Sequence, residues 1–238
     1  MIRPHRTHTT EALLAAVGLT VLLYLLPWFW APAVWLGWPL VLMSTLAHEL
    51  SHALAAMMLG GEVESLRLWS DASGVAVHSG TYGGISRAII AAAGPLGPPL
   101  FAAFAFLAAR RPDGARWVLF VAAALLLLVL AFWVRNLFGW FFVGALTVLL
   151  GLLAWRASPR VAQIACAFFG IELCLASFSR SDYLFSKTAQ TGAGSIPSDT
   201  AQIAQVLFAP YWFWGGLIAL VSLAILGFGL RAVLNAVR

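Results

Sequence analysis

The chain is a succession of apolar stretches, each about the length of a membrane crossing, separated by short polar breaks. A helix needs about 20 predominantly apolar residues to cross the hydrocarbon core of a bilayer. Stretches 12–30, 37–61, 85–109, 117–134, 138–155, 161–178 and 211–230 approach or exceed that length. Across the 238 residues 62% are hydrophobic and only 10% charged, which excludes both a soluble globular domain and a disordered chain. The expectation is an all-α polytopic membrane protein of about seven transmembrane helices, a single integral membrane domain over 1–238. Its formal net charge of +5 sits mainly between the apolar runs, where anionic lipid headgroups meet it, so the bilayer is the implied partner and nucleic acid is not. Cys166 and Cys174 fall within one apolar run and form no C-x-x-C pair or secreted disulfide framework. The basic segment MIRPHRTHTT precedes an apolar run that lacks a small-x-small cleavage site, so 12–30 is expected to be a retained anchoring helix.

Within the second run the sequence reads LAHELSHALAA, placing His48, Glu49 and His52 in an H-E-x-x-H pattern. Residues four apart share one face of a helix, so two imidazoles can grip a single ion while Glu49 stands beside a water on that ion. Three ionisable groups near the middle of a spanning helix are costly unless a metal or partners satisfy them. A zinc hydrolase site carried inside the bilayer points to proteolysis within the membrane. Ser44, Ala47, Ser51, Ala53, Ala55 and Ala56 are small enough to let neighbouring helices approach that face.

Gly60 and Gly61 stop this helix, and the following GGEVESLRLWSDASGVAVHSGTYGG has short β-like runs around a DASG turn. A small β-hairpin is expected at 61–84, read either as a plain connector or as an edge strand able to receive an unwound substrate by strand addition. In AAAGPLGPP the residues Gly94, Pro95, Gly97, Pro98 and Pro99 are expected to interrupt regular helix hydrogen bonding. Such a break fits a wet chamber, and equally a proline kink used in packing. Arg135-Asn136 reads either as a tight interfacial turn with a snorkelling arginine or as an amide turned toward the site. The polar segment 177–205 reads as a loop leading into a helix that starts near Pro197, Ser198 and Asp199. An acid inside an apolar run, as Glu172 is in IACAFFGIELCLASF, is a functional candidate, and Asp182 stands near the end of that run. Asp199 reads on its own as an ordinary carboxylate at a helix N-terminus.

These pieces, AHELSHALAA, GGEVESLRL, AAAGPLGPP, VRNLFG and PSDTAQIAQ in that order, resemble the M50 intramembrane zinc metalloproteases of the site-2 protease type, and more closely their bacterial M50B-like branch. The resemblance implies Zn2+ as cofactor, a membrane protein as substrate, a multi-pass location in a bacterial plasma membrane, His48 and His52 as ligands and Glu49 as base. The larger group's N-x-x-P-x-x-x-x-D-G motif is only half present: Asn136 has a place, as a donor to the oxyanion or substrate backbone, but no proline or Asp-Gly follows it. The M50B-like branch has an S-D pair before the last helix, which points to Asp199 as third ligand, with Asp182 and Glu172 as the alternatives. Two rival readings stand beside this one, a catalytically inactive M50-like scaffold and a metal transporter. An intact Glu49 argues against the first, and the concentration of His and acid in one helix against the second.

Overall fold

A computed structural model describes residues 4–80, 82–179 and 181–237. Its element order is α1 (Pro4–Phe29), α2 (Val34–Met58), β1 (Glu62–Leu68), β2 (Gly74–Ser79), α3 (Gly84–Ala108), α4 (Pro112–Phe132), α5 (Leu137–Arg156), α6 (Pro159–Ser179), β3 (Thr188–Thr191), β4 (Gly194–Pro197), α7 (Asp199–Val206) and α8 (Tyr211–Val237), with short 3-10 turns at Ala31–Ala33 and Ser181–Phe185. Seven of these helices, all but the eight-residue α7, are long and apolar enough to cross a membrane. The protein is an integral, multi-pass membrane protein with the expected all-α architecture, to which two small antiparallel hairpins are added.

Helix α3 is the hub of the bundle, packing against α2, α6, α7 and α8, while α4 pairs with α5 and α1 lies along α6. Small residues make the close approaches possible. A Cβ at Gly97 would fall 2.1 Å from Ser51 Oγ on α2, and one at Gly229 of α8 would fall 2.8 Å from the Ala103 Cα on α3. The expected interruption of α3 does not occur, because the helix runs through Pro95, Pro98 and Pro99 without a break. Each proline removes only its own N–H, leaving the carbonyls four residues earlier without their usual donor. Neighbouring helices hold the trace helical where protein surrounds it.

Glu172 is buried at 2% exposure on α6 and accepts a hydrogen bond from Thr20 Oγ1 of α1 at 2.8 Å. It is therefore a polar tie between α1 and α6, satisfying the requirement that an acid within an apolar helix be partnered.

The hairpin foreseen at 61–84 is present, with Leu66 opposite Ala76, Leu68 opposite Gly74 and a bulge between Val63 and Ser65. Leu66 and Leu68 are fully buried in a cluster with Leu46 and Leu50 of α2 and Val129, Val134 and Val143 around α4 and α5. The outer edge of β1 is occupied too. Leu66 N–H donates to Trp133 O at 2.7 Å and Leu66 O accepts from Arg135 N–H at 3.1 Å. Asn136 continues this pairing with its side chain: Nδ2 donates to Leu68 O at 2.5 Å and Oδ1 accepts from Leu68 N–H at 3.3 Å. Both backbone groups of Leu68 are thereby met by one amide acting as a substitute peptide, while β2 pairs with β1 alone among the described residues. The polar stretch 177–205, read from sequence as a loop, contains the second hairpin, β3–β4, with Thr188 opposite Pro197 and Thr191 opposite Gly194. Thr-Ala-Gln-Thr and Gly-Ser-Ile-Pro have too little apolar alternation to announce a strand.

The α2–α3 contact makes a direct test. Gly97→Ala places a methyl group against Ser51 and Ala47, and thermal unfolding in detergent is expected to show a loss of about 1–3 kcal/mol, the usual cost of overpacking a close contact. Unchanged stability would mean that the two helices do not meet there.

Candidate metal centre

Helical spacing puts His48 and His52 on one face of α2, with ring centroids 4.8 Å apart and Nε2 atoms separated by 3.2 Å. Asp199 meets them from the first turn of α7, its Oδ2 lying 3.0 Å from His48 Nε2 and its Oδ1 3.2 Å from His52 Nε2. Among the described residues these three form the group of His, Cys, Asp or Glu side chains able to hold a metal ion. The spacing fits a tetrahedral ion: bonds of about 2.0–2.1 Å place neighbouring donor atoms about 3.3 Å apart.

The polarity of the donors makes the same point. His52 donates its Nδ1–H to Ile90 O at 2.7 Å, which leaves the Nε2 lone pair of the neutral ring facing His48 and the Asp199 carboxylate. Acceptors so close together repel one another unless a cation or proton lies between them. Space for the cluster comes from α3, where a Cβ at Gly94 would stand 2.2 Å from His52 Nε2 and 2.7 Å from His48 Nε2. Side-chain exposures of 19% for His48, 12% for His52 and 3% for Asp199 put the carboxylate at the back and leave the imidazoles open to the chamber.

Asp199 does not serve as the helix cap, which was its ordinary reading. Ser198 takes that place, accepting from Ala201 N–H at 3.2 Å and donating its hydroxyl to Ser186 O at 2.6 Å. Asp199 is left free to turn inward, where Tyr183 O–H donates to its Oδ2 at 3.2 Å. Burial works to raise the carboxyl's pKa, but with protons standing in for a cation between the groups the charged His52 and His48 imidazoles outweigh it and hold Asp199 below the usual carboxylate range. Burial, reinforced by the Asp199 charge, pushes the Tyr183 phenol upward, so it stays a donor. Sequence reasoning missed Tyr183; a tyrosine in SRSDYLFS carries no spacing signal before the fold brings position 183 beside 199.

Glu49 is buried at 8% exposure beside the two histidines and accepts from the Ala76 N–H of β2 at 2.8 Å. Gly74 makes room for it, since a Cβ there would lie 2.7 Å from Glu49 Cγ. Before these groups opens a chamber of about 820 Å³, walled by β2, α3, α8 and the second hairpin. His78, on the same β2 face as Gly74 and Ala76, also lines it. Among the described residues its Nδ1 has no hydrogen-bond partner, and burial lowers its pKa and keeps the ring neutral.

Of the other candidates, Asn136 does not line this chamber; it secures β1 from the far side of the hairpin. Glu172 belongs to the α1–α6 tie and is not part of the cluster. The side chain of Asp182 lies outside the described residues.

Bound metal in purified protein is expected to fall below a tenth of wild type in His48→Ala, His52→Ala and Asp199→Ala, and to be retained in Glu172→Gln. Gly94→Ala is a sharper case. The change ordinarily stabilises a helix interior by about 0.5–1 kcal/mol, yet here it should expel the metal because the new methyl group occupies the imidazoles' space. Full metal content in this variant would show that the histidines sit elsewhere.

No curated protein and no solved structure matches the sequence. The sequence model described as Peptidase M50B-like matches residues 11–229, a range that takes in both histidines, Glu49, α3 and Asp199. A bundle of membrane-crossing helices, with two helix histidines and a distant aspartate converging beside a glutamate, is thus found in a chain that belongs to the Peptidase M50B-like family.

Proposed function

We propose that the protein is an intramembrane zinc metalloprotease that hydrolyses peptide bonds of membrane-embedded protein substrates. The observation that carries the reading is the convergence of His48, His52 and Asp199 at tetrahedral spacing, with Glu49 beside them at the floor of a chamber. In this reading His48 Nε2, His52 Nε2 and an Asp199 oxygen would hold the ion, and the chamber beside them would admit water and substrate. When bound, zinc supplies a Lewis acid that polarises a carbonyl and acidifies water.

Glu49 is the base. Ala76 N–H engages Oε2, which orients the carboxylate and leaves Oε1 to accept the water proton and later deliver it to the leaving amine. Tyr183 steadies Asp199, and Ile90 O steadies His52, so the donor set keeps its orientation as charge develops. The oxyanion role expected of Asn136 does not enter, since that amide is committed to Leu68; the His78 imidazole, which lines the chamber, is placed nearer to a substrate's backbone.

Substrate presentation follows from the hairpin. A peptide bond inside a helix has its carbonyl hydrogen-bonded, so a transmembrane substrate must unwind before it is cut. The outer edge of β1 is closed, whereas β2 borders the chamber and has β1 as its sole strand partner among the described residues, which supports strand addition at β2. Helix α1, tied through Thr20 to Glu172, is the anchoring helix of this arrangement.

Glu49→Gln preserves the shape of the side chain and removes its basicity. It is expected to retain metal and the thermal unfolding midpoint while cleavage of a transmembrane peptide falls by at least about a hundredfold, the lower end of general acid–base contributions. Near-normal turnover in this variant would remove Glu49 from the mechanism. A wild-type protein that binds zinc but cuts none of a broad panel of transmembrane peptides would overturn the proteolytic reading itself.

A further inference from the structure

Two hairpins border the chamber, and Gly192 brings them into contact. Gly192, in the β3–β4 turn, donates its N–H to Ser73 Oγ at 2.9 Å. The same residue lies flat on the Trp69 indole, so closely that an added Cβ would fall 2.3–2.5 Å from ring atoms Cγ, Cδ1 and Cδ2. The backbone at 192 is not in the left-handed region, so the indole, and not the turn geometry, demands glycine here.

Both sides of this contact are rooted in the metal centre. The β1–β2 turn is fastened to α2 by Thr45 Oγ1 donating to Ala72 O at 2.8 Å and by Trp38 Nε1 donating to Ser70 O at 3.1 Å. The second hairpin is fastened at its base, where Ser198 N–H donates to Lys187 O at 3.0 Å next to Asp199. A closed ring results: α2, the turn, Gly192, the second hairpin, Asp199, and back to the histidines of α2. Its other links are covalent bonds, paired strands and hydrogen bonds, with the Thr45–Ala72 bond buried. The junction at Gly192 is one neutral hydrogen bond and one ring contact, which favour a closed state by only roughly ten- to a hundredfold.

We propose that the hairpin Thr188–Pro197 is a strap that closes the chamber by latching Gly192 onto Trp69 and Ser73, and that release of this latch admits the substrate chain. A helix is about 10–12 Å across with its side chains, so a strap fastened over the chamber excludes an intact helix and favours a single extended segment. Thr188, Ala189, Gln190, Thr191 and Ile196 of the strap face the same cavity as β2. An extended chain there lies between two hairpins, and Asp199 at the strap's base links the closed position to the ligand set. What passes under the strap rests on the proteolytic reading; the motion does not.

The test uses Ser222, buried at 6% exposure on α8 and lining the chamber, as a reporter. In full-length protein with Cys166 and Cys174 replaced by Ala, the variant Ser222→Cys is labelled with a bulky water-soluble maleimide. Gly192→Ala, Ser73→Ala and Trp69→Ala should each accelerate labelling roughly fivefold or more by raising the open population, with metal content unchanged. Trp69→Phe should stay near the rate of the Ser222→Cys parent because a ring remains. Gly192→Ala should add nothing once Trp69 is already alanine, since the methyl group then has nothing to strike. Equal labelling rates in all variants would overturn the strap, and undiminished acceleration by Gly192→Ala in the Trp69→Ala background would overturn the latch. Cleavage of a transmembrane peptide should rise in kcat/KM with the labelling rate. If wild type cuts no peptide while labelling follows the expected pattern, the strap stands and the proteolytic reading falls.

Discussion

Three electron-pair donors point at one spot in a largely apolar bundle: two imidazole nitrogens and a carboxylate, each about 3 Å from the others. Left alone they repel, and the surrounding apolar medium strengthens that repulsion. The arrangement is stable only with a positive charge at its centre, and much of the nearby structure serves to hold the donors in place. Ile90 O turns the His52 ring, Tyr183 and Ser198 orient Asp199, and Gly94 removes the atom that would otherwise fill the space.

That dependence explains the composition of α3. Its run AAAGPLGPP has little to recommend it as an autonomous helix, since glycine and proline both lower helix stability. In the bundle the glycines let α2 come close and the prolines leave backbone carbonyls available within a protein-lined environment, so poor local propensity is outweighed by packing. The run marks a helix specialised for contact, and its continuity corrects the expectation of a break.

The helices, the shared face of the two histidines and the first hairpin were legible because each is written locally. Apolar length gives a span, four-residue spacing places His48 and His52 on one face, and Asp-Ala-Ser-Gly announces a turn. Asp199 was reachable only through family resemblance: nothing near it distinguishes a ligand from a helix-terminal carboxylate, and 147 positions separate it from His52. Tyr183, the β3–β4 hairpin and the contact at Gly192 were not legible, since each depends on where a polar segment lands after the bundle has formed. Asn136 was noticed for the right reason, a polar side chain at an apolar boundary, and its partner could not be read because Leu68 is 68 positions away.

The amide of Asn136 also limits how the small sheet can grow. By occupying both backbone groups of Leu68 it ends the hydrogen-bond ladder on one side, so a third strand has one direction left in which to add. A ladder of main-chain bonds reads the path of a polypeptide and is nearly blind to its letters. An enzyme that receives substrate this way would choose among membrane helices by how easily each unravels, and its preferences would follow helix-weakening residues near the cut more than any fixed recognition sequence.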